Sequence, residues 1–212
     1  YEKAIESQIG EVYVATCNHE IASEVKKNGG KFIMTDIKHT TGTDRVFEAS
    51  QKLNLRDIDF IMNIQGDEPM INPLDIKNLN KLSKEKNLNI STLAYNIEKK
   101  EDYDNENIVK VITKNKISDN SISEALNFHR VIKEDRYDNI YQHFGIYLYK
   151  YSALKKFVNF KKSKNEIKEK LEQLRAMDNN MKINVLLANY FSSGIDTKKD
   201  LEEYIKLLNN SK

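Results

Sequence analysis

"EVYVATCNHEIASEVKKNGGKFIMT", residues 11–35, sets the fold class. Residues 11–16 are a β-rich run, and 19–30 then places Ile21 and Val25 one helical turn apart before Gly29 and Gly30 close the helix. Residues 31–35 return to strand. Strand, helix and strand in so short a span imply a right-handed crossover and parallel pairing. The pattern continues outward. TGTDRVFEASQKLNL (41–55) puts Val46, Ala49 and Leu53 on one helical stripe, and DFIMNI (59–64) is a third strand. Pro73 suits a first helical turn ahead of LDIKNLNKLSKEK (74–86), and NISTLAYNI (89–97) is a fourth strand.

The texture changes after Ile97. NIVKVIT (107–113), SISEALNF (121–128) and NIYQHFGIYLYK (139–150) follow with little helix between them, which predicts a partly antiparallel excursion over about 98–150. Helices return at 152–160 and 163–177, the second opened by a capping box of Ser163 and Glu166. A strand over 182–188 and a helix over 197–209 end the pattern. The expectation is one α/β domain over 1–212, a mostly parallel Rossmann-like sheet flanked by helices. YEKAIES (1–7) reads as the end of a helix with no start signal, so an N-terminal piece is expected before Tyr1.

Composition narrows the function. The 34 basic and 32 acidic residues are dispersed and leave a net charge of +2, which argues against a nucleic-acid groove while permitting a phosphate pocket. The one cysteine, Cys17, excludes an internal disulfide framework and a multi-cysteine metal site. The lone cysteine suits a reducing compartment, so a cytoplasmic protein is expected, and no apolar run approaches the roughly 20 residues of a membrane span. There is no G-x-G-x-x-G after a strand, no Walker loop and no G-x-S-x-G elbow.

NIQGDEPMI (63–71) places Asp67 and Glu68 at the exit of a buried strand, where open α/β sheets bind ligands. Asp196, between the last strand and the last helix, falls near the same edge. Two such carboxylates suit Mg²⁺, which shares its coordination with water and substrate phosphates. The competing readings are a solvent-facing turn acid for Asp67, and for the 196–200 stretch a helix cap made by Asp196 or by Thr197 with Asp200. In HTTGTDR (39–45), Gly42 admits close backbone approach, Thr41 and Thr43 offer hydroxyls at a helix start, and Arg45 lies one turn in; an anion site or an ordinary cap both fit. In QHFGIYLY, Phe144, Ile146 and Leu148 share the core face, so that His143, Gly145 and Tyr147 border an open space on the other, unless they are plain surface residues. On a continuous helix over 163–177, Ile167, Leu171, Leu174 and Met177 form the buried stripe. Gln173 then borders it and Glu172 points away.

Taken together, EVYVATCNHEIASEV, HTTGTDR, NIQGDEPMI, NIVKV, QHFGIYLY, LEQLR and SSGIDTKKDLE resemble the 3-deoxy-manno-octulosonate (KDO) cytidylyltransferases over nearly the whole chain. The resemblance implies a CMP transfer from CTP to KDO that releases pyrophosphate for lipopolysaccharide synthesis, by a homodimer. It implies Mg²⁺ on Asp67 and Asp196, which are also the catalytic pair. It puts Gln65, Gly66, Gly42, Thr43 and Arg45 at the nucleotide, and His143, Tyr147, Glu172, Gln173 and Arg130 at the acid sugar. Two departures stand out: the family's basic, glycine-containing first loop is missing from residues 1–212, and NFHRVI replaces YFSR followed by IP. The alternatives are a cytidylyltransferase for another acid sugar, such as a sialic acid relative, or a non-catalytic nucleotide-binding module.

Overall fold

Ile90, Ser91, Thr92, Leu93, Ala94 and Tyr95 are all buried, so this strand has a packed layer on each face and lies at the centre of the molecule. The computed structural model describes residues 1–54, 58–118, 121–132, 138–190, 194–195 and 197–210. The chain runs α1 (Glu2–Glu6), β1 (Val14–Thr16), α2 (His19–Lys27), β2 (Phe32–Met34), α3 (Gly42–Lys52), β3 (Phe60–Asn63), α4 (Pro73–Glu85) and β4 (Ile90–Asn96). It continues with a 3₁₀ turn (Lys100–Tyr103), β5 (Lys110–Thr113), β6 (Ile122–His129), β7 (Ile140–Lys150), α5 (Tyr151–Val158), α6 (Lys164–Glu169), α7 (Leu174–Asp178), β8 (Asn184–Leu187) and α8 (Lys198–Asn210).

The opening crossover forms as its sequence requires. Asn18 caps α2 by accepting from the Glu20 and Ile21 amides, and β1 and β2 pair in parallel, Val14 opposite Phe32. These two strands make one sheet. The other is mixed, in the order β3-β7-β4-β8-β6-β5, with β4 and β8 parallel. The expected excursion supplies β5, β6 and β7, all joined by antiparallel ladders, and the N-terminal half of β7 also pairs with β5. Consequently β4, β7, β5, β6 and β8 close into a ring. Helix α3 packs against β1, β2 and β3, so it spans the two sheets.

Both faces of the mixed sheet are covered. On one, Tyr147, Tyr149, Ala94 and Phe128 pack against Leu154 and Phe157 of α5 and Leu174 of α7; on the other, Phe144, Ile146, Leu148 and Leu93 pack against Ile76 and Leu79 of α4. Strand β7 feeds both layers by alternation.

One element departs from its expected form. The helix foreseen over 163–177 is two short helices, because Lys170 adopts a left-handed conformation (φ 54°, ψ 44°) that ends α6, and α7 begins only at Leu174. The helical phase is lost at that corner. Leu171 and Leu174 are buried as expected, but Ile167 is 63% exposed.

Candidate functional site

Strand β3 delivers the first part of the site. Asn63, its last residue, pairs with Tyr147 of β7, and the chain beyond it carries Gln65 across Gly145: a Cβ there would sit 3.2 Å from Gln65 Nε2. The space that the glycine opens, expected to be free, is therefore filled by the Gln65 amide. At Gly66 a Cβ would meet nothing within 4 Å among the described residues, so the backbone there is open to approach on their side. Asp67 is exposed and its carbonyl accepts from the Ile195 amide at 2.8 Å, while Gly194 lies against Glu68. The residue preceding Asp196 is thus tied to Asp67; Asp196 itself lies outside the described residues. The cap of α8 is a reciprocal pair in which the Thr197 amide donates to Asp200 and the Asp200 amide to Thr197, so the capping duty foreseen for this stretch is met by those two residues. At the other end of the loop, the buried Asp75 carboxylate accepts from the Asn189 and Tyr190 amides, 3.0 and 3.2 Å away.

Helix α3 brings the second part. Gly42 abuts Asn63, with 3.5 Å between a Cβ built on the glycine and Asn63 Nδ2, so the start of α3 adjoins the end of β3. Thr41 caps the helix: its hydroxyl accepts from the Asp44 amide and donates to the Asp44 carboxylate at 2.7 Å. Thr43 is buried. The Arg45 guanidinium donates to the Thr35 hydroxyl at 2.6 Å and to the Asp36 and His39 carbonyls, tying the turn after β2 to α3.

Strand β7 supplies the third part through an irregularity. Its ladder with β4 jumps from Thr92 opposite Tyr147 to Leu93 opposite Phe144, so Gly145 and Ile146 are extra residues. Two rather than one are inserted, and the in-out alternation survives. The Thr92 hydroxyl lies 2.6 Å from the Ile146 carbonyl, 3.1 Å from the Phe144 carbonyl and 2.9 Å from His143 Nε2. His143 is flanked by the edge of Phe128 and by Tyr147, with ring centroids 5.1 and 5.4 Å away, and burial pushes its pKa down to about 3. Tyr147 is 7% exposed, so it is a buried phenol and not a surface residue. Its hydroxyl has no hydrogen-bond partner among the described residues, and burial holds its pKa well above the ordinary value.

The corner at Lys170 supplies the last part and reverses an expectation. A continuous helix would have turned Glu172 away; the break turns it inward. Its carboxyl is pushed above the usual range, first by burial, with Thr41, Arg175 and Thr43 opposing and Asp44 adding to the rise. Its Oε1 is buried with no hydrogen-bond partner among the described residues, the Arg175 guanidinium lying 3.9 Å away. Gln173 is buried beside it, directly before α7. Arg130, the residue after β6, donates to the carbonyls of Glu169, Glu106 and Lys170 and pins the corner. Arg175, 2% exposed, makes a two-pronged bond to Glu166 at 2.9 and 2.6 Å, lies 3.6 Å from Asp44 and covers the Phe157 ring.

Thr92, Asp75 and Arg175 went unnoticed in the sequence as parts of this arrangement. A signal existed for Thr92: a hydroxyl inside a strand buried on both faces must find partners there, as its neighbour Ser91 does with Ser83. For a divalent ion, the described residues contain no group of three His, Cys, Asp or Glu that could hold one. An exposed carboxylate at a strand's carboxyl end fits Mg²⁺ all the same, since that ion takes one or two carboxylates and fills its other positions with water and phosphate oxygens.

Comparison with known proteins puts this geometry in context. Residues 1–183 match a family model described as cytidylyltransferase. A protein of Thermodesulfovibrio yellowstonii named 3-deoxy-manno-octulosonate cytidylyltransferase is 45% identical, over 99% of this chain and 86% of its own length. One of the same name from Afipia carboxidovorans is 39% identical over 97% of this chain and 83% of its own length. Among solved structures, a CMP:2-keto-3-deoxy-manno-octonic acid synthetase complexed with CTP superposes with a TM-score of 0.88 at 32% identity, covering 100% of this chain and 86% of that one. UDP-glucose pyrophosphorylase complexed with UDP-glucose shares the fold alone, with a TM-score of 0.66 at 12% identity, over 100% of this chain and 85% of that one.

Proposed function

The chain belongs to the cytidylyltransferase family, and from that premise we propose that it transfers CMP from CTP to 3-deoxy-D-manno-octulosonate, releasing pyrophosphate. The observation that carries this reading is the convergence at the end of β3: Gln65 on Gly145 of β7, and Ile195 on Asp67. It joins the nucleotide candidates, the sugar candidates and the stretch before Asp196 in one region. In the reaction the sugar's anomeric hydroxyl attacks the α-phosphorus; an O–P bond forms, the α–β bridge breaks in line, pyrophosphate leaves and the hydroxyl proton is released. Such a transfer is accelerated by positioning and by neutralising charge on phosphate oxygens.

Gln65, the open backbone at Gly66 and the α3 start, with Gly42, Thr43 and Arg45, hold the nucleotide in this reading. His143, Tyr147, Gln173 and Glu172 face the acid sugar, and the two N–H donors that Arg130 retains beyond its three carbonyl bonds meet the sugar's carboxylate. Asp67 and Asp196 hold Mg²⁺, which would neutralise charge building on the transferring phosphate. The same reading makes the protein a cytoplasmic homodimer that feeds lipopolysaccharide synthesis; no helix among the described residues is long and apolar enough to cross a membrane.

The test is pyrophosphate release from CTP and Mg²⁺ with KDO or with N-acetylneuraminate as acceptor. Release with KDO alone is expected. Release only with the nine-carbon acid, or CTP binding with no release from either, would overturn the proposal.

A further inference from the structure

We infer that Thr92 is a positioning residue for the acid-sugar end of this site: its hydroxyl fixes His143 as the Nε2–H tautomer and leaves Nδ1 as an acceptor for a substrate hydroxyl. The substrate half of this inference rests on the function proposed above.

Three contacts carry it. The hydroxyl oxygen of Thr92 has three neighbours at bonding distance, and two are the carbonyls of Phe144 and Ile146. Carbonyls only accept, so the single hydroxyl proton is directed to them, most closely to Ile146 at 2.6 Å. What Thr92 offers the third neighbour, His143 Nε2 at 2.9 Å, is a lone pair. The ring must therefore donate from Nε2. Thr92 is fully buried, so the surrounding protein supplies the competing partners for this hydroxyl. Burial keeps the imidazole neutral near pH 7, and in a neutral ring that donates at Nε2 the other nitrogen holds a lone pair.

The arrangement also explains the extra residues in β7. Their insertion opposite Thr92 takes the Phe144 and Ile146 carbonyls to one side chain, and that side chain passes the geometry on to the imidazole. Valine has nearly the shape of threonine but would remove the hydroxyl that meets both carbonyls and accepts from the imidazole N–H; serine would keep all three contacts.

The test combines nitrogen-15 correlation spectra of the histidine rings with steady-state kinetics on the wild type, Thr92→Val and Thr92→Ser. The His143 signals are assigned by their loss in His143→Gln. The expected wild-type spectrum is that of a neutral Nε2–H ring at about pH 7, kept by Thr92→Ser and lost or mixed in Thr92→Val. Thr92→Val should raise KM for the acid sugar about tenfold while KM for CTP stays within about twofold, and Thr92→Ser should restore the wild-type values. A wild-type Nδ1–H tautomer or an imidazolium would overturn the inference, as would both KM values rising together. The wild-type spectrum decides even if Thr92→Val does not fold. Should no acid sugar be turned over, the proposed function fails while the spectra still decide the tautomer.

Discussion

A Cβ at position 145 would lie 3.2 Å from the Gln65 amide nitrogen, closer than ordinary van der Waals contact, and that amide is the flexible end of its chain. Gly145→Ala should therefore cost little folding free energy, less than about 1 kcal/mol in urea denaturation, because Gln65 can swing aside. It should raise KM for CTP, since the swing takes Gln65 from its place. His143 makes a different kind of prediction. Its pKa falls from 6.5 in the unfolded chain to about 3 in the fold, so the unfolded state binds the proton more readily. Stability from this group is fully present above the unfolded value and is lost as pH drops from 6.5 towards 3. At about pH 4.5 the loss should reach about 2–3 kcal/mol relative to neutral pH. His143→Gln should remove that share, as denaturation midpoints at the two pH values would show; an unchanged pH dependence would contradict the burial of the ring.

The corner between α6 and α7 shows what elements conceal in a sequence. Leu171 and Leu174 fit a continuous stripe, and the residue that adopts the left-handed conformation is a lysine, not the glycine or asparagine that would have announced it. Tertiary partners hold the break: Arg130, the residue after β6, donates to the Glu169 and Lys170 carbonyls. Lys170→Gly should raise stability by roughly 0.5–1 kcal/mol by relieving the left-handed strain, measurable as a higher thermal midpoint. A lower midpoint would mean that the lysine side chain contributes more than its backbone costs. By contrast, the elements of the first crossover were legible, because the Ile21–Val25 spacing and the two glycines are local signals, although the Asn18 cap went unread. The three strands after Ile97 were legible as strands, but not their partners: pairing of β5 with both β6 and β7 is a nonlocal choice that periodicity does not encode.

For the whole molecule, Arg175 is where separate parts meet. It joins Glu166 of α6, Asp44 of α3 and the Phe157 ring of α5, while α3 spans both sheets. Arg175→Met would leave the Glu166 carboxylate buried without its partner and should destabilise by about 3–5 kcal/mol. Adding Glu166→Gln should recover part of that loss; if the single substitution is near neutral, the buried pair does not hold the site together. The sequence showed Asp67 and the 194–200 stretch as neighbours only by the general rule for strand ends, and the tie between Ile195 and Asp67 gives that rule an atomic form. The proposal that this edge binds Mg²⁺ and transfers CMP is tested most directly by pyrophosphate release from CTP and KDO at stepped Mg²⁺ concentrations, in the wild type and in Asp67→Asn. The account predicts Mg²⁺-dependent turnover in the wild type and a loss on the order of 100-fold in Asp67→Asn with an unchanged unfolding midpoint. Near-normal turnover by Asp67→Asn at every Mg²⁺ concentration would contradict it.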